Sequence, residues 1–363
     1  MKISDVTVYK VKPRWIFVKI STDEGIEGWG EMISGTKTET VVAGAYEIGN
    51  RLIGRNPFEI ERLFQEMHRS FFRGGPINGT IVSGLEMALW DIKGKAFNVP
   101  VYELLGGAAR DKIKVYSWIG GDRPSEVAEQ AQDRFDRGFT AVKMNATEEL
   151  HYIDSYQKVD EVVERVASIR ERFGDAMDIG VDFHGRVHKP MAKVLAKALE
   201  PFHPMFLEEV VLPENEEHFK EVADSVAVPL ATGERLYTRW QFKNLFKQGT
   251  VDIIQPDVAL CGGILETRKI AAMAEAYDMA VAPHAPYGPV ALAATLQVDS
   301  CTPNVFIQEQ SLGIHYNKGF DLLDFVKNKE VFQYKDGYVD LPSKPGLGLE
   351  MDEDKIKEIA QEG

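Results

Sequence analysis

From residue 113 onward, short apolar runs alternate with stretches that place apolar side chains at helical spacing. The runs are Ile113–Trp118, Phe139–Met144, Met177–Phe183, Met205–Val210, Val228–Thr232, Val251–Gln255, Met279–Pro283 and Val305–Gln308. Amphipathic segments such as Arg123–Arg137, Ala192–Leu199 and Glu266–Tyr277 fill the gaps. Strands joined through helices must run parallel, and eight such units predict an α/β chain closed into a (β/α)₈ barrel. Before it, Ile3, Val6, Val8 and Val11, then Trp15–Ile20, then Ile26–Gly30 read as an antiparallel meander with a turn at Thr22–Gly25. Helical patterns follow at Thr40–Ile53, Pro57–Phe71 and Thr80–Phe97, so residues 1–112 predict a small α+β unit. The last strip, 320–363, with a hairpin-like segment at Val331–Leu341, is expected to pack back on that unit, leaving 113–319 as the barrel.

Between Asp278 and Asp299 no charged residue occurs for 20 positions, the length of a membrane span. Pro283, Pro286, Pro289, Gly288, His284 and Gln297 interrupt it, so a buried strand, a loop and a helix are predicted instead. The opening MKISDVTVYK has no apolar core and does not read as a signal peptide, which makes the cytoplasm the expected location. With 56 acidic against 42 basic residues the formal charge is −14, which disfavours nucleic acid and anionic membrane as partners. Two cysteines, Cys261 and Cys301, are too few for a disulfide framework or a thiolate metal site. Dinucleotide, P-loop and nucleophile-elbow signatures are absent.

The ends of the apolar runs carry polar residues in register. Asp182, Glu208, Glu234, Asp257, His284 and Glu309 follow one another at intervals of 26, 26, 23, 27 and 25 residues. One acidic residue after a strand is usually a helix N-cap, but six in register belong to the C-terminal mouth, where this fold builds its sites. Asp182, Glu208 and Glu234 offer only hard oxygen donors, which select Mg²⁺ over Zn²⁺. Glu209 competes with Glu208, and strand alternation predicts that only one of the two enters the mouth. The same alternation puts Asp182 and His184 on one face, and likewise Lys143 and Asn145. Asp257 and His284 fall on neighbouring strands, where the carboxylate can fix the imidazole tautomer. Arg73 and Arg235 are candidates for the rim, while His68, His151, His188, His203, His218 and His315 read as structural or surface residues.

The stretches WDIKGK (Trp90–Lys95), YSWIGGDRP (Tyr116–Pro124), DFHGRVHKPMAKVLAK (Asp182–Lys197), GERLYTRW (Gly233–Trp240), KIAAMAEAYD (Lys269–Asp278) and QEQSLGIHYNKG (Gln308–Gly319) are long and distinctive. In them the chain resembles the mandelate-racemase-like branch of the enolase superfamily, and within it the D-galactonate dehydratases. The resemblance implies a capping domain, made of the N-terminal unit and the C-terminal strip, over a (β/α)₇β barrel. It implies one Mg²⁺ per subunit on Asp182, Glu208 and Glu234, a sugar-acid substrate, and a homo-oligomer. His284, assisted by Asp257, is implied as general base. Lys143 and a protonated Glu309 are implied to stabilise the enediolate, and His184 to protonate the departing 3-hydroxyl. Racemases of this branch carry Lys-x-Lys on the second strand, whereas this chain has Lys143-Met144-Asn145. An amide takes no proton at neutral pH, so one base and one acid remain, which favours β-elimination over racemisation. A gluconate or broader aldonate dehydratase, and a sugar-acid-binding relative without catalysis, are the alternative readings.

Overall fold

The computed structural model describes every residue except 34, 70–72, 74, 122–125 and 362–363. The predicted helix ends at Phe71 and Arg123 lie outside the described residues. Strands β1 (Ile3–Val11), β2 (Trp15–Thr22) and β3 (Glu27–Ile33) form the expected antiparallel meander. Helices α1 (Thr38–Gly49), α2 (Ile60–His68), α3 (Gly75–Phe97) and α4 (Val101–Leu104) follow it. Helix α3 is apolar nearly all round because it is sandwiched, with buried residues along most of its length. Its close approach to β3 needs glycine: a Cβ on Gly30 would stand 1.8 Å from the Gly84 carbonyl oxygen.

The barrel strands are β4 (Lys112–Ile119), β5 (Ala141–Asn145), β6 (Asp178–Asp182), β7 (Phe206–Glu208), β8 (Leu230–Thr232), β9 (Ile253–Ile254), β10 (Ala280–Val281) and β11 (Gln308–Gln310). They pair in parallel in chain order; β11 returns to β4, and a bridge between Val281 and Val305 completes the circle. The crossovers are α5 (Val127–Asp136), α6 (Tyr156–Phe173), α7 (Lys189–Leu199), α8 (Phe219–Ala223), α9 (Thr238–Gln248), α10 (Ile264–Glu275) and α11 (Pro289–Ser300). Among the described residues no α-helix follows β11 within the barrel, so the eight-unit pattern is corrected to (β/α)₇β. The charge-free stretch is β10, a loop and the wholly buried α11. No described helix is long and apolar enough to cross a membrane. Tyr116, Phe206, Ile253 and Ile307 plug the lower barrel with apolar side chains beneath the polar mouth.

The C-terminal strip divides between the two units instead of lying on the first alone. The hairpin β12 (Tyr334–Lys335) and β13 (Tyr338–Asp340) pairs antiparallel with β4 at Lys112–Lys114. This part of β4 lies below its parallel pairing with β5, which begins at Ser117. Its backbone groups there are free to accept another strand. Helix α12 (Glu353–Gln361) does return to the meander, where Glu353 accepts hydrogen bonds from Tyr9 at 2.7 Å and Lys19 at 2.8 Å.

Because β3 meets α3 backbone to backbone at Gly30 and Gly84, Gly30→Ala should cost about 3 kcal/mol by forcing the two apart. A urea midpoint equal to that of the parent protein would contradict this packing.

Candidate active site

Strand register levels the first site residues: Asn145 pairs with Asp182, and Asp182 with Glu208. Glu234 follows the end of β8, and one carboxylate oxygen from each of Asp182, Glu208 and Glu234 lies within 4.8 Å of the others. Lys143 reaches across from β5, its Nζ 2.8 and 3.0 Å from the two Glu208 oxygens and 3.0 Å from Glu309 Oε1. Gln255, unforeseen from the sequence, donates to Glu208 Oε2 at 2.6 Å. Burial raises the Glu208 carboxyl to about 8 against the pull of Lys143, and Asp182, Glu234 and Glu309 add repulsion. Lys143 is driven well above the usual lysine range: burial opposes its charge, but Glu208 and Glu309 outweigh that. Three carboxyl groups, Asp182 and Glu208 buried and Glu234 part-buried, with a single ammonium group between them form an oxygen-only cage suited to a hard divalent cation.

On the opposite side, Asp257 and His284 face each other across a parallel bridge. Asp257 Oδ1 accepts from the Ala259 backbone at 2.7 Å, and Oδ2 lies 2.6 Å from His284 Nδ1. This leaves His284 Nε2 facing the mouth, 3.4 Å from Glu234 Oε2 and 3.8 Å from Glu309 Oε2. Glu309, placed inside β11 and not just after an apolar strand, also accepts from the Ala285 backbone at 2.9 Å. Burial disfavours the imidazolium, yet Glu234, Glu309 and the Asp257 hydrogen bond raise His284 to about 10. The same charges act in reverse on Glu234: burial would raise it, but His284, Arg235 and Lys143 bring it to about 2.

His184 reaches the mouth by a route that strand alternation does not supply. Strand β6 ends at Asp182, and His184 sits at φ +54°, in a turn whose backbone N–H donates to Asp182 Oδ1 at 2.6 Å. Its Nδ1 stands 3.1 Å from Asn145 Oδ1 and 3.2 Å from Asp182 Oδ2. The exclusion of Glu209 is likewise corrected. Beyond the end of β7 a φ of +45° turns this buried residue to the rim. There Arg235 donates to its Oε2 from Nε at 2.8 Å. The same guanidinium lies 3.3 Å from Glu234 Oε1 and donates to the His184 carbonyl at 3.4 Å. Adjacency to Glu234 was the one signal for Arg235. His315 is exposed, as the surface reading expects, with its ring 6.1 Å from that of Trp118, which lies 6.3 Å from His184.

A (β/α)₇β barrel with a carboxylate cage and a His–Asp pair at its mouth, under an α+β unit, defines a class of two-part barrel proteins built around a cation site. The chain belongs to the mandelate racemase / muconate lactonizing enzyme family of the enolase superfamily. Residues 1–106 match that family's N-terminal domain, and residues 126–355 match the enolase C-terminal domain-like model. A D-galactonate dehydratase of Variovorax paradoxus (strain S110) is 52% identical over 357 residues, 98% of this chain and 94% of that protein. A mandelate racemase/muconate lactonizing enzyme-like protein from Roseovarius sp. TM1035 superposes with a TM-score of 0.90 at 33% identity, over 99% of this chain and 95% of that one. An enolase of Agrobacterium radiobacter, solved with Na and L-malate bound, superposes with a TM-score of 0.90 at 34% identity, over 99% and 95% of the two chains.

Without a cation the site and its surroundings retain protons that the unfolded chain would release. His284 is held at about 10, Glu208 and Glu86 at about 8, and Glu31 at about 7, each above its ordinary value. A folded state that binds more protons than the unfolded state loses stability as pH rises. Urea midpoints measured in chelator should therefore fall stepwise from about pH 5 to about pH 9. A rising midpoint would contradict these electrostatics.

Proposed function

We propose that this protein is a Mg²⁺-dependent sugar-acid dehydratase, with D-galactonate the favoured substrate and 2-dehydro-3-deoxy-D-galactonate the product. Residues 113–319 form its catalytic unit, and 1–112 with most of 320–363 its cap, the hairpin β12–β13 docking on the barrel. The observation that carries the reading is the pairing of unlike groups across the cage: His284 with Asp257 on one side, His184 with Asn145 on the other. Two bases would serve racemisation, whereas one base and one acid serve elimination. The named substrate of the Variovorax relative favours galactonate. L-malate in the Agrobacterium enolase is a 2-hydroxy acid, as aldonates are.

His284 Nε2 takes the proton from the carbon next to the substrate carboxylate, while Asp257 holds the ring by Nδ1 and steadies the imidazolium that forms. Charge then moves onto the carboxylate oxygens, where Lys143 and Glu309 lie. Mg²⁺, held by Asp182, Glu208 and Glu234, would neutralise the cage, relieve the pull of Glu234 on His284, and stabilise the developing enediolate charge. His184 protonates the 3-hydroxyl as it departs, with Nδ1 held by Asn145, and the enol released relaxes to the 2-keto-3-deoxy acid. Arg235 balances Glu209 and Glu234 and steadies the turn that carries His184.

A panel of aldonates incubated with Mg²⁺ and assayed for 2-keto-3-deoxy acid tests this directly. Turnover should be greatest with D-galactonate and should stop on chelation; turnover favouring D-gluconate would support the broader reading instead. Absence of turnover across the panel would leave a binding protein. His284→Asn should lower kcat by about 10³-fold and stop deuterium exchange at the α-carbon. His184→Asn should stop dehydration but retain that exchange, and loss of both would refute the acid role.

A further inference from the structure

We infer that the N-terminal unit does more than cover the mouth: Glu31 and Glu86 are positioning residues for the His284–Asp257 pair. The inference rests on the proton-accepting role proposed above. Four residues, 285–288, join His284 to helix α11, and each is tied down. The Ala285 N–H donates to Glu309 of β11, and Ser311 donates to the Tyr287 carbonyl. The other two ties come from the N-terminal unit. Arg14 donates to the Pro286 carbonyl, and Glu31 of β3 accepts from the Gly288 N–H at 2.7 Å. Glu31 also accepts from Val290 and Ala291, at 3.2 and 3.0 Å, so one carboxylate takes three of the unpaired N–H groups at the start of α11.

The loop behind Asp257 is held in the same way. Glu86 of α3 accepts from Ile264 and Leu265 at the start of α10, at 2.7 and 2.9 Å, and from the Trp90 indole at 2.8 Å. One turn earlier on α3, Ser83 accepts from the Gly262 N–H at 2.9 Å. The helices after the two strands that carry the pair are therefore both capped by carboxylates from the other unit, and both carboxylates are 1% exposed. A serine or threonine within the barrel would satisfy one N–H at a smaller desolvation cost. A carboxylate bridging two or three N–H groups instead sets where each helix begins and how it is rotated. Through a four-residue loop that setting reaches the imidazole. A Cβ on Gly288 would stand 2.6 Å from Glu31 Oε1, so this contact excludes other side chains at that position.

The experiment compares Glu31→Gln, Glu86→Gln and Ser83→Ala with the parent enzyme, all loaded with Mg²⁺ and supplied with D-galactonate. A displaced base should lower kcat by about tenfold to a hundredfold in the Gln variants, with KM within about twofold. Deuterium exchange at the α-carbon should fall by the same factor, because proton removal is the step affected. Affinity for Mg²⁺ should hold, since the cage is built by strands β6 to β8. A merely structural role lowers the melting temperature and leaves kcat and exchange of the folded enzyme unchanged, and that result would overturn the inference. Should the Gln variants fail to fold, Ser83→Ala removes the hydrogen bond from Gly262 behind Asp257, along with the Ser83 donation to the Gly79 carbonyl within α3, and still decides, with about threefold or greater loss of kcat expected. Proton NMR of ¹⁵N-histidine-labelled protein reads the pair without substrate. The downfield Nδ1 proton of His284, assigned by its loss in His284→Asn, should move upfield in Glu31→Gln. An unmoved signal counts against the inference even if galactonate is not turned over.

Discussion

Five carboxyl groups crowd the mouth of this barrel, four of them buried and Glu234 part-buried, and most of the surrounding structure manages their mutual repulsion. Asp182, Glu208, Glu234, Asp257 and Glu309 would not remain ionised side by side in a medium of low polarity without positive partners. Lys143 bridges Glu208 and Glu309, Arg235 bridges Glu209 and Glu234, and His284 stands between Asp257 and Glu234. These three cations fall short of the charge they face. The deficit suits the cage to a divalent ion. Glu208 and Glu234, a few ångströms apart, are displaced in opposite directions because burial dominates at Glu208, whereas His284, Arg235 and Lys143 outweigh it at Glu234. The overall surplus of acid on the chain says nothing about this site, because charges in solvent are screened over roughly 8 Å at physiological salt while those in the barrel are not.

The fold makes the crowding bearable by placing it above a dry floor. Tyr116, Phe206, Ile253 and Ile307 fill the lower barrel and leave no room for water to dilute the field from below. From above and to one side, the N-terminal unit contributes Arg14, Glu31, Ser83 and Glu86 to the backbone of the loops after β9 and β10. Geometry that matters to a few tenths of an ångström is thus held from two directions. The hydrogen bonds join polar side chains of one unit to backbone groups of the other, and the close approach fixes glycine at 288.

The sequence revealed what repeats and concealed what depends on a turn or on a distant partner. Asp182, Glu208, Glu234, Asp257, His284 and Glu309 were visible because a barrel sets one strand end per repeat, at the same height. The last strand lies later than the pattern predicts: the apolar run Val305–Gln308 marks the buried approach, whereas the ladder occupies Gln308–Gln310, from which Glu309 reaches the mouth. His184 was assigned by alternation, but β6 had already ended, and its position comes from a left-handed residue that no periodicity announces. Glu209 escaped for the same reason. The contacts of Glu31 and Glu86 with α11 and α10 join residues more than 170 positions apart, and an acidic residue in a strand or a helix looks like any surface carboxylate until its partner is docked. The predicted hairpin forms, but its docking on β4 is not legible in the sequence, because free backbone edges leave no mark in side-chain patterning.

One position bears on the chemistry twice. Asn145 occupies the strand site where a second lysine would make a base on the far face of the substrate. An amide there removes that base, and it also alters the neighbour it touches. Asn145 Oδ1, 3.1 Å from His184 Nδ1, is an acceptor and carries no charge. It can therefore accept the ring N–H at Nδ1, which also lies 3.2 Å from Asp182 Oδ2, whereas an ammonium group offers no acceptor. Loss of one proton-transfer group and support of another thus follow from the same side chain. A chain that retained lysine at 145 would need more than His184 to become a dehydratase, since the acid would then stand beside a like charge. In the mechanism proposed above, this local pairing favours elimination over racemisation, and the barrel supplies the height at which the two residues meet.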